Sequence, residues 1–389
     1  MPSTPRMAWL DGLRAVAVLL VLYAHLSRYV LTDVRAVSSE WLHAGQAGVM
    51  LFFLVSGYII PASLERHGNL RRFWAGRAGR LLPLYVAVTV AVVVLGLYRT
   101  ADPATAAVAH ATMLPFLLGE PQANPVFWTL AFEMVFYLLV TALFAVRLHR
   151  ADAVTAVLLA VAGVLSAPLA LRTLPTPYAV LVLVAGLAAV LSGRRRVVIA
   201  GAVVLGVLAL ALTVTGAAPS HAWDGLLILA VMFTGTTIYR ADAGQTGWWP
   251  VAVAAPVVAA ALVLNWFAEL VSLDALTPRY MARSLITLLV FAGAFAVGML
   301  TRRWRTPAWL ATIGVISYSV YLTHYVLLLV MRPVLGHDAV AVAYVAVVLI
   351  VSKVTHRYLE LPGQRWARAM SDVWDRSPRV SRPHAPVRG

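Results

Sequence analysis

Residues 10–26 read LDGLRAVAVLLVLYAHL. The run is about as long as one bilayer crossing, which takes roughly 17–25 residues. Three ionisable side chains, Asp11, Arg14 and His25, interrupt it. Charged groups in such a run are costly in hydrocarbon, so they face a bundle interior or a water-filled cavity. This one stretch therefore points to a membrane-spanning helix bundle and to a first place to look for chemistry.

The apolar half of that pattern recurs along the chain. Runs compatible with helices lie near residues 10–31, 45–64, 81–98, 127–147, 153–171, 177–192, 197–215, 225–239, 248–269, 284–300, 310–331 and 338–354, with 177–192 and 225–239 short. Segment 105–118 reads as a helix lying at the interface. Backbone groups in hydrocarbon must be satisfied internally, which selects helices; the ten-residue alternating segments of a barrel are absent. The expected fold is all-α, a polytopic transmembrane bundle of about 10–12 spans over residues 1–366. A basic, disordered tail is expected over residues 367–389, since that stretch is rich in Arg, Pro and Ser without apolar periodicity. With 61% hydrophobic and only 12% charged residues, against about 25% charged in soluble domains, the chain is not an ordinary soluble enzyme.

The net charge of +15 fits basic loops and anionic lipid headgroups better than nucleic acid, and no nucleic-acid partner is expected. With the N-terminus inside, the cytoplasmic loops hold Arg66, Arg71, Arg72, Arg77, Arg80, Arg147, Arg150, Arg194, Arg195, Arg196, Arg240, Arg302, Arg303 and Arg305. The opposite loops carry scattered single arginines. That asymmetry predicts an integral protein of the cytoplasmic membrane with both termini in the cytoplasm. The first helix is expected to be retained rather than cleaved, because Asp11 and Arg14 break the signal-peptide order and no small-residue cleavage site follows. The chain has no cysteine, which excludes thiolate catalysis, disulfides and Cys-based metal sites. No His/Asp/Glu cluster has metal-ligand spacing, so no metal is expected.

Arg14 and His25 are eleven residues apart, within about 20° of three whole helical turns, so they share a face roughly 16 Å apart along the axis. Asp11 and Arg14, at i and i+3, can pair. By spacing alone two readings stay equal: a polar stripe serving chemistry, or a histidine satisfied by a neighbouring helix above an interfacial ion pair. Glu133 is buried in an apolar run and must be protonated or paired; orienting a histidine, binding an acceptor and neutralising an arginine all fit. Ser56 beside Gly57 fits close helix packing better than an acyl-enzyme. Arg77 and Arg80 read either as topology determinants or as anion ligands near a helix N-terminus.

Several segments decide between these readings together. LDGLRAVAVLLVLYAH (Arg14, His25), GVMLFFLVSGYII (Phe52, Phe53, Ser56, Gly57), RRFWAGRAGRLLPLY (Arg77, Arg80, Pro83, Tyr85), FWTLAFEMVFYLL (Trp128, Glu133, Phe136, Tyr137) and ISYSVYLTHY (Ser317, Tyr318, Tyr321, His324) follow one another in order, and YLELPGQRW (Glu360, Pro362) closes the series. This series resembles the acyltransferase-3 family of integral membrane O-acyltransferases, in which an Arg is followed eleven residues later by an essential His. The resemblance implies transfer of an acyl group, most often acetyl, from acyl-CoA to a hydroxyl of a carbohydrate or of a hydroxylated natural product such as a macrolide. It implies His25, Arg14 and Glu133 as catalytic residues and Arg77 with Arg80 as ligands of the acyl-CoA co-substrate. It further implies Ser56, Trp128, Tyr137 and His324 as substrate-binding residues, with no permanently bound cofactor. A twelve-helix secondary transporter of the major-facilitator type is the alternative. It accounts for mid-membrane charges but gives no reason for the series of motifs.

Overall fold

Each of the twelve apolar runs forms helix within the described residues. The computed structural model describes residues 7–165, 174–215, 222–334 and 338–376, and every regular element among them is helical. In chain order these are α1 (Ala8–Leu26), α2 (Thr32–Trp41), α3 (Ala44–His67) and α4 (Leu70–Val94). There follow α5 (Pro103–Ala111), α6 (Trp128–Ala145), α7 (Asp152–Leu165) and α8 (Thr176–Leu191). Then come α9 (Arg195–Thr215), α10 (Ala222–Asp242), α11 (Trp249–Ser272) and α12 (Pro278–Leu300). The last four are α13 (Ala308–Val315), α14 (Ser317–Met331), α15 (Asp338–Thr355) and α16 (Leu361–Arg376).

Eight helices among the described residues are long and apolar enough to cross a membrane, and α13 with α14 makes a ninth if that pair, bent by 70°, is one span. The count falls below the expected 10–12 largely because α7 and α8 have only 14 and 16 residues, short of the roughly 17 that a span needs. The continuous run 310–331 gave no sign of its bend. The break follows Gly314, whose missing side chain lets α13 press onto α1: a Cβ there would fall 1.8 Å from the Asp11 carbonyl oxygen.

The tail expected from residue 367 is helical as far as Arg376, and residues 377–389 lie outside the described residues. The π-helical turn His356–Glu360 carries α15 into α16, which lies along α4. Gly363, Ala367 and Ser371 repeat at four-residue spacing, and a Cβ on Gly79 of α4 would meet both the Ala367 Cβ and the Gly363 carbonyl at 2.5 Å. Close backbone approach holds this helix.

The bundle centre is the crossing of α3 and α10. A Cβ on Gly57 would sit 1.8 Å from the Met232 carbonyl oxygen, and one on Gly235 would sit 2.3 Å from that of Leu54. Thr236 Oγ1 donates to the Gly57 carbonyl across this contact at 2.8 Å. Gly57→Ala is therefore expected to force the helices apart, costing at least the ~1–3 kcal/mol of an overpacked core. The check is a lowered unfolding temperature of the detergent-purified protein. An unchanged value would mean that the crossing is looser than described.

Outside the spans, α5 is pinned by a buried histidine. His110 Nε2 accepts from the Ala123 backbone N–H at 3.3 Å, so the neutral ring keeps its proton on Nδ1, 3.1 Å from the Tyr85 hydroxyl. Burial lowers the His110 pKa. The unfolded chain, titrating near the ordinary value of about 6.5, therefore binds the proton first. This contribution to stability is complete above that pH and is lost as pH falls toward the folded-state value. His43, beside the start of α3, acts in the same direction, pushed down to about 4 by burial and by Arg283. Thermal unfolding at pH 7.5 and pH 5 should show a smaller acid loss for His110→Gln than for the wild type. Equal losses would contradict the assignment.

Candidate active site

Helices α1, α3, α4, α6 and α14 enclose one cavity, and each contributes polar groups. Its wall includes Arg14 of α1, Ser56 of α3, Arg77 and Arg80 of α4, Thr129 and Glu133 of α6, and Ser317, Tyr318 and Tyr321 of α14. Three guanidinium groups thus face one carboxylate, with apolar wall from Phe52, Phe53 and Leu130. Four of these charged residues were legible in the sequence, and the fold brings all four together.

Their partners hold them in place. Asp11, 4% exposed, pairs with Arg14 at 3.4 Å as the i, i+3 spacing expected. Arg77 donates from Nη2 to Ser63 Oγ at 3.0 Å and lies over the rings of Phe73 and Tyr137, 5.5 and 5.6 Å from their centroids. The Tyr137 hydroxyl donates to the Glu133 carboxylate one turn earlier on α6. Tyr137 therefore stands behind the cavity wall, orienting Glu133. Trp128 is not in the wall either; it belongs to an aromatic cluster with Phe53, Phe116 and Phe132. Thr129, beside it, was missed: its hydroxyl lies 2.9 Å from the Tyr321 hydroxyl and 3.0 Å from the Val126 carbonyl. No period or motif singles out such a threonine, because its partner is 192 residues away.

His25 is not among the cavity residues. It meets His324 beyond Tyr321, whose ring lines the cavity and packs 5.9 Å from that of His324. His324 is fully buried. The His324 Nδ1 atom is 3.1 Å from the Val320 carbonyl and its Nε2 is 3.2 Å from His25 Nδ1, which is also 3.0 Å from the Val21 carbonyl. A carbonyl only accepts, so each neutral ring carries its proton on Nδ1. His324 Nε2 then accepts from His25, and the His25 Nε2 lone pair takes no hydrogen bond among the described residues. The Val21 carbonyl, sharing the same proton with His324 Nε2, thus fixes the Nδ1 tautomer of His25. Behind the other side of α14, Ser319 donates to the buried Glu360, whose carboxylate is 3.2 Å from His356 Nδ1. The described residues contain no group of three or more potential metal ligands.

The sequence of this chain matches the acyltransferase-3 family, described as an acyltransferase domain, over residues 7–357. Among curated relatives, "Putative O-acetyltransferase SAS0844" of Staphylococcus aureus (strain MSSA476) is 38% identical over 96 residues, 23% of this chain and 14% of that protein. "Putative peptidoglycan O-acetyltransferase YrhL" of Bacillus subtilis (strain 168) is 33% identical over 152 residues, 33% of this chain and 22% of that protein. "Putative acetyltransferase ORF330" of Acidianus two-tailed virus is 30% identical over 164 residues, 42% of this chain and 46% of that protein. The chain spans less than half the length of each of these relatives. No solved structure is significantly similar. A match over nearly the whole length leaves the transporter alternative without support: the chain belongs to the acyltransferase-3 family.

Proposed function

We propose that this protein is an integral membrane O-acyltransferase that moves a short acyl group from acyl-CoA to a hydroxyl of a carbohydrate or of a hydroxylated natural product. The observation that carries the reading is the pairing of two polar centres across Tyr321. One is a cavity lined by Arg14, Arg77 and Arg80; the other is the His25–His324 pair, whose His25 Nε2 has no hydrogen-bond partner among the described residues. Acyl-CoA has the matching form, a polyanionic head on a long arm with the reactive thioester at its far end.

Arg77 and Arg80 hold the phosphates, for which planar guanidinium forks are well suited. Arg14, kept in place by Asp11, stabilises negative charge deeper in the cavity. The acceptor oxygen attacks the thioester carbonyl carbon while His25 Nε2 takes the hydroxyl proton. The C–S bond then breaks and the proton passes to the departing CoA thiolate. No enzyme-bound acyl group is needed, and Ser56 serves as cavity wall. Glu133, oriented by Tyr137, is placed to bind an acceptor hydroxyl or to balance the arginines. The name of the Bacillus relative favours a polymeric carbohydrate as acceptor. The basic loop residues favour insertion in the cytoplasmic membrane with both termini in the cytoplasm.

The test uses membranes containing the protein, incubated with acetyl-CoA labelled in the acetyl group. The expected product is a base-labile ester in extracted glycan or lipid, absent when the membranes carry His25→Ala. Equal labelling with both proteins would contradict the reading.

A further inference from the structure

A second basic hollow adjoins the start of α4. Arg71 and Arg80 are nine residues apart, two and a half helical turns, so they leave α4 on opposite faces. The hollow lies among the start of α4, the end of α6 and the turn from α8 to α9, and it shares no wall residue with the active cavity. Arg71, Arg72, Arg147 and Arg195 line it, with no acidic residue in its wall among the described residues. Glu65 and Asp152, on the adjoining ends of α3 and α7, are both taken by the buried Arg240.

Local structure aims these arginines. Arg71 Nε donates to the Leu191 carbonyl at 2.8 Å, and its Nη2 fills the place of a side chain on Gly193: a Cβ there would lie 2.7 Å away. Gly193 takes a φ of +77°, so this seat suits glycine in conformation as well as in space. Arg147 occupies the left-handed cap position of α6, with φ +64° and its N–H on the Phe144 carbonyl at 3.1 Å. Glycine or asparagine is the ordinary choice there. A strained, exposed arginine at a helix end is a hint of function when a site lies beside it. His149 Nδ1, also in this wall, is buried and makes no hydrogen bond among the described residues.

We propose that this hollow binds the phosphate-bearing headgroup of an anionic phospholipid. It opens among helix ends, where headgroups lie if α4, α6 and α9 span the bilayer. Its floor includes Phe144, Val190 and Val198. From there the outward faces of α8 and α9 continue as exposed apolar surface, with Leu181 65%, Val184 57% and Val207 63% exposed, which suits acyl chains. Basic hollows between membrane helices take headgroups in this way. The donor nucleotide is the other phosphate source, but the cavity assigned to it shares no wall residue with the hollow. The proposal does not depend on the acyltransferase reading.

The experiment counts lipids bound to the intact detergent-purified protein by native mass spectrometry, with phosphatidylglycerol and phosphatidylcholine offered in turn. Wild type should prefer phosphatidylglycerol, and Arg147→Gln/Arg195→Gln should bind it at least tenfold more weakly with phosphatidylcholine unchanged. Arg195→Gln alone, at an exposed position, gives the same direction should the double variant fail to fold. Equal binding of the two lipids by wild type, or unaltered phosphatidylglycerol binding by the variants, would overturn the proposal. Displacement of phosphatidylglycerol by acetyl-CoA, with acetyl-CoA binding itself lost in Arg195→Gln, would also overturn it and make the hollow a nucleotide site.

Discussion

His25→Ala should lower kcat for acyl transfer by about 10²–10⁴-fold, the range that general-base assistance supplies, with little change in the acyl-CoA KM. The expectation rests on the tautomer. Val21 and His324 together keep the His25 proton on Nδ1, and the remaining nitrogen is the one that can receive the acceptor proton. The variant leaves His324 Nε2 buried without its partner, which costs on the order of 1–3 kcal/mol. Activity is therefore compared on protein shown to be folded by its unfolding transition and gel-filtration profile. Unaltered kcat in folded protein would remove His25 from the mechanism and leave the histidine pair as a packing feature.

Arg80→Ala should act on the other end of the donor. Loss of one charge-assisted contact to phosphate removes about 1.5–3 kcal/mol, which corresponds to a rise in acyl-CoA KM of roughly 10–100-fold. The acceptor KM should stay near its wild-type value, because Arg80 shares the cavity with Arg14 and Arg77 while the histidine pair lies beyond Tyr321. The acyl-CoA KM of the wild type should itself rise with salt, and that of the variant less steeply. An effect confined to the acceptor would contradict the assignment of Arg77 and Arg80 to the donor.

What could be read from the sequence follows the range of each interaction. Asp11 and Arg14 are three residues apart on one helix, so helical geometry alone foretells their pairing. Arg77, Arg80, Glu133 and Ser56 carry no such geometric signal; the ordered series of segments marked them, and they meet in one cavity. Glu133 and Tyr137, one turn apart, meet through a hydrogen bond of the kind that i, i+4 spacing permits. The contact between His25 and His324 joins residues 299 apart and depends on how α14 turns after the bend at Ile316. Nothing local to either histidine encodes it. Trp128, a motif position on α6, packs in an aromatic cluster with Phe53 of the cavity wall rather than in the wall itself. Helix α16 seats Gly363 and Ala367 against Gly79 of α4; its amphipathic period is present in the sequence, but the Arg, Pro and Ser content of residues 367–389 outweighs it.

The most direct test of the account is acetyl-CoA binding, read as thermal stabilisation of the detergent-purified protein and compared with Arg77→Ala/Arg80→Ala. A ligand at a hundred times its dissociation constant adds about 2.7 kcal/mol to the folded state. The account predicts a clear rise in unfolding temperature for wild type and its loss in the double variant. Well-folded wild-type protein that no short acyl-CoA stabilises would contradict the assignment of the arginine cavity to the donor.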